Sequence, residues 1–503
     1  MAVLFKIPKN MDEVDLPIDI RVGLVSNYGQ PQIDFLTQCI KEYRQSEVYK
    51  TMEIGKNYFF NKNDIIHRER FYIDRKGEPV KTELLSNNKL SHPFMRKLVN
   101  QKVNYLLSKD FTISGEEKYV QNLNEYFNDR FRLTLVNTGK ESIRCGIAWM
   151  QVYYNTEGKL KFKHIPSNEI IPFWHDSEHT ELDAIIRIYE IEEYAVDKIE
   201  KRIYEMIEYY TPEGLWKYKR LKTGGNLISL SPVEGEGHFR VVKDDKTEVS
   251  ATWNKVPFVA FKYNMEEVSL INWIKPLIDD YDKQTSDNSN NLADVPNSIK
   301  IVEGYEDNDK EEFSKNLNIF RTVFVGEGGD VRSLNTDLDL AGTDIHLNRL
   351  RKDIFEFGGG VDTVEKDLRD VAGVALRFQY ADLDMDCSEM AQQFRYSMRQ
   401  LQWFVNQDLE AKGEKINDKD SDFIFNTDVI INETETINNL AVTKDSISQK
   451  TLLQNHPWVK NVEREIRDIE SDRKKDMDNE IQKQQAIARI NQQYTTKSNQ
   501  SNQ

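Results

Sequence analysis

Apolar residues recur at Leu376, Tyr380, Leu383, Cys387, Met390, Phe394, Met398, Leu401, Val405 and Leu409, in steps of three and four. One face of an α-helix repeats every 3.6 residues, so this spacing predicts a single amphipathic helix from Val374 to Glu410 with one buried stripe. At ~1.5 Å per residue it would run about 55 Å, longer than a small domain needs. Phe357-Gly358-Gly359-Gly360 and then Val371-Ala372-Gly373-Val374 lead into it. A mobile glycine loop feeding a long rod predicts a mechanical part, not an enzyme pocket.

The same period predicts helices over 28–60, 92–108, 117–128 and 131–145. Tyr72–Val80 reads as a hairpin turning at Lys76-Gly77. From Ile147 the period drops to two. Segments 147–154, 160–165, 184–192, 202–210, 215–219 and 256–262 predict the strands of an antiparallel sheet, with turn residues at Asn155–Gly158 and Thr211–Gly214. The first half is therefore one α+β domain. Pro276 suits the first turn of a helix that continues through Ile278, Tyr281, Thr285, Asn288 and Leu292 and ends at Val295-Pro296. Its stripe thins to polar residues, which predicts packing against copies of itself or against water. A compact insert follows, with strands near 299–302, 321–325 and 331–334 and a short helix over 311–319. The next helix, 343–357, holds Leu347, Leu350, Ile354 and Phe357 in register. Two helices bracketing a small module predict a stalk with a tip. Strands near 423–425 and 429–431 precede helices near 433–442, 446–454 and 459–490. Beyond about Glu480 the chain turns to Gln, Asn, Ser and Thr, which predicts a disordered tail.

Composition narrows the class. The chain has 503 residues, 39% hydrophobic, 30% charged and 11% aromatic, enough for several domains with real cores. No run approaches the ~18 apolar residues of a membrane helix, and Met1–Pro8 is too short an apolar stretch for a secretory signal. Cys39, Cys145 and Cys387 show no paired spacing, which argues against disulfides or a cysteine zinc site and for a reducing cytoplasm. The formal net charge is −16, the reverse of what a phosphate-gripping protein carries. An acidic surface serves solubility, and it also keeps a passing polyanion from sticking.

Candidate chemistry is sparse. His175-Asp176-Ser177-Glu178-His179 is the most metal-like cluster, but it lacks the His-Glu-x-x-His order and Pro172 places it beside strands in a loop, so a surface turn is expected. Asp382, Asp384, Asp386 and Glu389 lack the glycine a calcium loop requires, since Cys387 stands there. They read as an acidic helix face near a favourable dipole end. The glycines at 326–329 and 358–360 are followed by no Lys-Ser or Lys-Thr and form no G-x-G-x-x-G, so turn and hinge roles are expected. No nucleophile motif and no cofactor motif stands out. The rival enzyme reading is a metal-dependent hydrolase centred on His175 and His179.

Taken in order, four stretches resemble the portal proteins of tailed double-stranded DNA bacteriophages, in the long-tailed branch infecting Gram-positive bacteria. They are Asn88–Phe94 leading to Leu98–Leu107, Lys255–Asn264 followed by Leu277–Asp282, Ala372–Leu376 leading to Tyr380, and Asn432-Glu433 with Ile447–Leu453 and Pro457–Val459. The resemblance spans roughly residues 30–475. It implies an α+β portal fold with wing, helical stem, α/β clip, long wing helix with tunnel loop, and helical crown. On this sequence these would be an N-terminal arm at 1–27, wing at 28–264, stem helices at 265–295 and 340–357, clip at 296–339, tunnel loop at 358–373, long wing helix and strand at 374–432, crown at 433–478 and a polar disordered tail at 479–503. The resemblance further implies a ring of twelve subunits at one capsid vertex, a component of the virion assembled in the host cytoplasm, with double-stranded DNA passing through without sequence specificity. Gly358, Gly359, Gly360, Lys366 and Arg369 would lie on the DNA-facing tunnel loop. Glu311, Lys315, Arg321, Glu327 and Asp330 would lie on the clip, which docks terminase and later a head-completion adaptor. Major capsid and scaffolding proteins are the other implied partners; no membrane, metal, cofactor or catalytic residue is implied.

Overall fold

The computed structural model describes residues 25, 29–73, 79–81, 86–195, 200–242, 248–294, 299–303, 330–334, 340–363, 380–426, 433–456, 458–459 and 462–500. The chain forms two compact units. One comprises Met1–Thr363 with Tyr380–Asp428, and the other Val364–Gln379 with Val429–Gln503. The fold is a mixed α+β one.

In the first unit the pattern over 28–60 resolves into two helices, α1 (Ile33–Gln45) and α2 (Glu47–Phe59). Ser46 takes an extended backbone between them and its Oγ accepts the Tyr49 N–H, so one residue both breaks the rod and caps its second half. After the hairpin β1 (Phe71–Ile73) and β2 (Pro79–Lys81) come α3 (Phe94–Leu107), β3 (Thr112–Ser114), α4 (Glu117–Tyr126) and α5 (Asp129–Cys145). Asn128 caps α5, its Oδ1 accepting the N–H groups of Arg130 and Phe131. Gly146 ends it at φ +86°, where any Cβ would run into the Glu267 carbonyl.

The strands 147–262 were expected in one sheet and form two principal ones. A three-stranded sheet runs β13 (Phe258–Lys262), β4 (Ile147–Tyr154), β5 (Leu160–Ile165). A five-stranded antiparallel sheet runs β10 (Ile228–Ser229), β9 (Gly214–Leu221), β8 (Glu200–Thr211), β7 (Leu182–Ala195), β6 (Ile170–Trp174). The chain leaves one sheet for the other through a short 3-10 turn at Ser167–Glu169, where Ser167 Oγ donates to the Ile147 carbonyl. Strand β6 escapes the alternation pattern because Pro172 interrupts it. It is an edge strand, the place where a sheet tolerates a missing N–H. A separate pair, β11 (Phe239–Val242) and β12 (Glu248–Ala251), follows β10.

The next helix, α6, spans Ile271–Asp294 and begins five residues before the expected start. Ser269 Oγ accepts the Ile271 N–H and starts the helix early, leaving Pro276 inside it. Strands β14 (Ile299–Glu303) and β15 (Asp330–Leu334) pair antiparallel, Glu303 facing Asp330. Then come α7 (Leu340–Phe357), which packs on α6, and α8 (Ala381–Ala411). Of the predicted stripe on α8, Leu383, Cys387, Met390, Phe394, Met398, Leu401, Val405 and Leu409 are all buried, the last six in a core shared with α3, α5, β4 and β13. Leu376 lies outside the described residues, and Tyr380 sits just before the first turn. Strand β16 (Asp422–Ile424) pairs with β3.

The thin stripe of α6 corrects another expectation. Ile274, Ile278, Asp282, Ser286 and Asn290, four apart, are each buried by the chain itself. The polar three receive backbone N–H groups from the extended segment before α3. His92 N donates to Asp282 at 3.0 Å, Leu90 N to Ser286 Oγ at 2.9 Å, and Asn88 N to Asn290 Oδ1 at 2.6 Å. A segment with no strand partner is thus satisfied by side chains, which is why polar residues occupy the buried face.

The second unit contains α9 (Glu433–Thr443), α10 (Gln449–Gln454) and α11 (Val462–Gln500). The tail expected to be disordered is helical to Gln500. Its Gln, Lys, Ala and Arg residues have good intrinsic helix propensity and need little burial to hold one. No described helix is long and apolar enough to cross a membrane.

Candidate functional site

Helix α3 carries Leu98, Val99, Val103 and Leu106 in its buried stripe, and Lys102 stands among them with no exposed surface. A lysine there needs partners, because an isolated buried charge is costly. Its Nζ donates to the Gly359 carbonyl at 2.8 Å and forms an ion pair with Asp386. The Tyr263 hydroxyl also donates to Asp386, at 2.8 Å, and burial, reinforced by the Asp386 charge, pushes its pKa well above the ordinary phenol value. One turn on, Tyr105 donates to Asp384 at 2.7 Å. Cys387, beside this pair, is pushed up to about 12, chiefly by burial. The expected acidic face of the long helix is therefore partly an internal binding face: Asp384 and Asp386 are held, while Asp382 faces solvent.

The glycine segment is fixed by the same helix. Gly360 N donates to Phe355 O at 2.8 Å and Gly359 N to Glu356 O at 3.1 Å, with Gly359 at φ +54°. That is a Schellman cap on α7. A Cβ on Gly358 would lie 2.7 Å from Leu98 Cδ1, and one on Gly360 would collide with Leu98 and sit 2.9 Å from Gln101 Oε1. Gln101 then grips Val361 in both directions, Nε2 donating to its carbonyl at 2.7 Å and Oε1 accepting its N–H at 3.2 Å. Arg351 donates to Asp362 through two nitrogens, the NH2 contact at 2.8 Å. Where a mobile lead-in was expected, Gly358 and Gly360 are packed against Leu98 and Gly359 takes the positive φ of the cap. The two segments flanking 364–379 are both anchored on α3.

Lys366 and Arg369 lie outside the described residues, as do Glu311, Lys315, Arg321 and Glu327. Asp330 opens β15 opposite Glu303. Sequence reasoning missed Gln101, Lys102, Tyr263 and the Arg351–Asp362 pair. One signal was present. Lys102 falls four residues after Leu98 and four before Leu106, a charge inside an apolar stripe.

The histidine cluster does not converge. His175 Nδ1 is 3.0 Å from Asp183, and the ring is largely exposed. His179 stacks on Trp174, ring centroids 4.7 Å apart at 7°, with Nδ1 2.7 Å from Glu267. Asp176 turns the loop, accepting the N–H groups of Glu178, Thr180 and Glu181. Among the described residues no group of three or more His, Cys, Asp or Glu is placed to hold a metal.

Comparison with known proteins gives the family. The profile described as "Phage portal protein, SPP1 Gp6-like" matches residues 39–479. The portal protein of Bacillus phage SPP1 is 25% identical over 460 residues, 90% of this chain and 89% of its own length. The portal protein of Clostridium phage phiCD119 is 27% identical over 424 residues, 81% of this chain and 89% of its own. With the profile spanning most of the sequence, the chain belongs to the SPP1 Gp6-like family of phage portal proteins, components of the virion that act in DNA packaging.

Proposed function

We propose that the protein closes a homo-oligomeric ring, of twelve copies in the capsid, at one vertex of the phage head, and that double-stranded DNA passes along its axis during packaging and ejection. In this reading residues 28–264 are wing, 265–295 and 340–357 stem, 296–339 clip, 358–373 tunnel loop, 374–432 long wing helix and strand, and 433–478 crown. The clip docks terminase while the head fills and a head-completion adaptor afterwards, and the ring is set among major capsid and scaffolding proteins. The protein is not an enzyme; nucleotide hydrolysis belongs to the terminase.

The double anchorage on α3 supports this reading most. Lys102 ties the cap at Gly359 to the second turn of α8 at Asp386, so the residues between are rooted at both ends on one packed helix. A loop that works against a moving duplex has to pass force into the body of the ring, and rigid roots do that. The DNA-facing assignment then narrows to residues beyond Val361, with Lys366 and Arg369 making transient phosphate contacts. The acidic remainder, net −16, keeps a duplex carrying one charge per ~1.7 Å from being held.

The test is genetic. A Lys366→Ala/Arg369→Ala phage is expected to incorporate the portal normally but to package DNA several-fold more slowly. Deleting 358–370 is expected to prevent stable folding, because it removes the cap that seats on Leu98. Normal packaging by the double variant contradicts the loop assignment.

A further inference from the structure

Among the described residues, cations concentrate in a concave place beside α5. Two adjoining cavities of about 650 and 470 Å³ lie along α5, the larger between it, the β4–β5 face and the β7–β8–β9 face, and they share Asn137 and His164. Seven arginine or lysine side chains line them, against a single carboxylate, Glu208. That carboxylate is already occupied by the hydroxyls of Tyr189 at 2.9 Å and Tyr210 at 3.0 Å and by Arg187. Arg144 and Lys217 also have partners, Glu141 and Glu236. Arg96, Arg130 and Lys140 have no ion-pair partner among the described residues, and Lys163 forms no direct pair, its charge reaching Glu169 only at longer range. His164 stands where the cavities meet, with Nε2 shut off from solvent and lacking a hydrogen-bond partner.

We propose that this cleft is a docking groove for an acidic peptide segment of a partner protein. Three features favour a peptide over nucleic acid. The cations line pockets of about 650 and 470 Å³, room for several peptide side chains but too small for a duplex. Asn100 and Asn137 offer amides that both donate and accept, matching peptide groups, whereas a phosphodiester only accepts. Phe59 and Phe60 line the smaller cavity, Phe60 64% exposed, and they provide apolar surface for a side chain between acidic ones.

The test uses the full chain and fluorescein-labelled octaglutamate, read by fluorescence anisotropy. Saturable binding is expected, weakened about tenfold in Arg130→Glu/Lys163→Glu and likewise in Arg96→Glu/Lys140→Glu, because two lost charge contacts are worth roughly one decade. Lys415→Glu/Lys419→Glu, away from the cleft, should bind as wild type. All four target side chains are at least partly exposed, so folding should survive; thermal melts check it, and Gln replaces Glu at any site that fails. Absence of saturable binding, or binding indifferent to both cleft variants, overturns the proposal. So does tighter binding of an oligothymidylate at the same residues, which assigns the cleft to nucleic acid. Loss of self-association in the cleft variants also overturns it, in favour of a second copy.

Discussion

At the scale of residues, the loop roots depend on one lysine. Lys102→Met keeps most of the volume but leaves Asp386, its side chain 27% exposed, against Tyr263 without its counter-charge. Breaking a fully buried pair from one side costs about 3–5 kcal/mol; with Asp386 partly solvated the loss is smaller, and removing both partners together costs less still. Thermal or urea melts should therefore show Lys102→Met destabilised and Lys102→Met/Asp386→Leu largely restored. Equal losses in both would mean that the pair contributes nothing beyond packing. A buried carboxylate, Glu141, sets acid sensitivity. Burial alone would raise the pKa of Glu141, but the Arg144 and Lys56 charges and the Ser167 N–H outweigh it and hold it at about 2, against an ordinary 4.5. A depressed folded-state pKa gives stability that is complete above the unfolded value and is lost as pH falls toward the folded one. Between pH 4.5 and 2 the wild type should lose stability more steeply than Glu141→Gln; parallel profiles in urea titrations would refute this.

At the scale of elements, the stem helix α6 shows what periodicity can and cannot reveal. The helix was legible, but spacing alone puts its stripe through Tyr281, Thr285, Asn288 and Leu292. The buried line runs instead through Asp282, Ser286 and Asn290, whose partners are backbone groups of a segment some two hundred residues earlier. Asp282 alone accepts from His92 N, the His92 ring and Asn63, at 2.6–3.0 Å. Asp282→Ala orphans these donors, and at about 1–3 kcal/mol for a buried one the variant should melt well below wild type. A wild-type melting temperature would place the segment 86–92 elsewhere in solution. The long helix was legible from its stripe alone, since eight apolar positions converge on one face. The breaks were not. Ser46 divides a helical pattern by its backbone angles and its capping oxygen, and the Pro166–Glu169 turn sends the strands into two sheets. Neither event alters hydrophobic spacing. The glycines at 358–360 were visible as an exception, but two opposite uses, freedom and close approach, leave the same mark in a sequence. Leu98 decides it for close approach at Gly358 and Gly360, and a φ of +54° calls for glycine at 359.

At the scale of the molecule, ordered similarity conveyed what no single motif could. The four quoted stretches are individually ordinary, and the family profile spans them all, from 39 to 479. The candidate site was less legible, because Lys102, Tyr263 and Asp386 are far apart in the chain and acquire meaning only when folding brings them together. The charge distribution follows the same logic: a net −16 for the chain, with seven cations of the described residues lining one cleft beside α5. Purified protein should accordingly bind duplex DNA weakly, with filter binding at 0.15 M salt giving no saturation at micromolar protein. The central claim, however, concerns assembly. Negative-stain electron microscopy of the purified full chain measures it most directly. The account predicts closed rings with a central hole in end-on views, and a field of monomers or open filaments would contradict it.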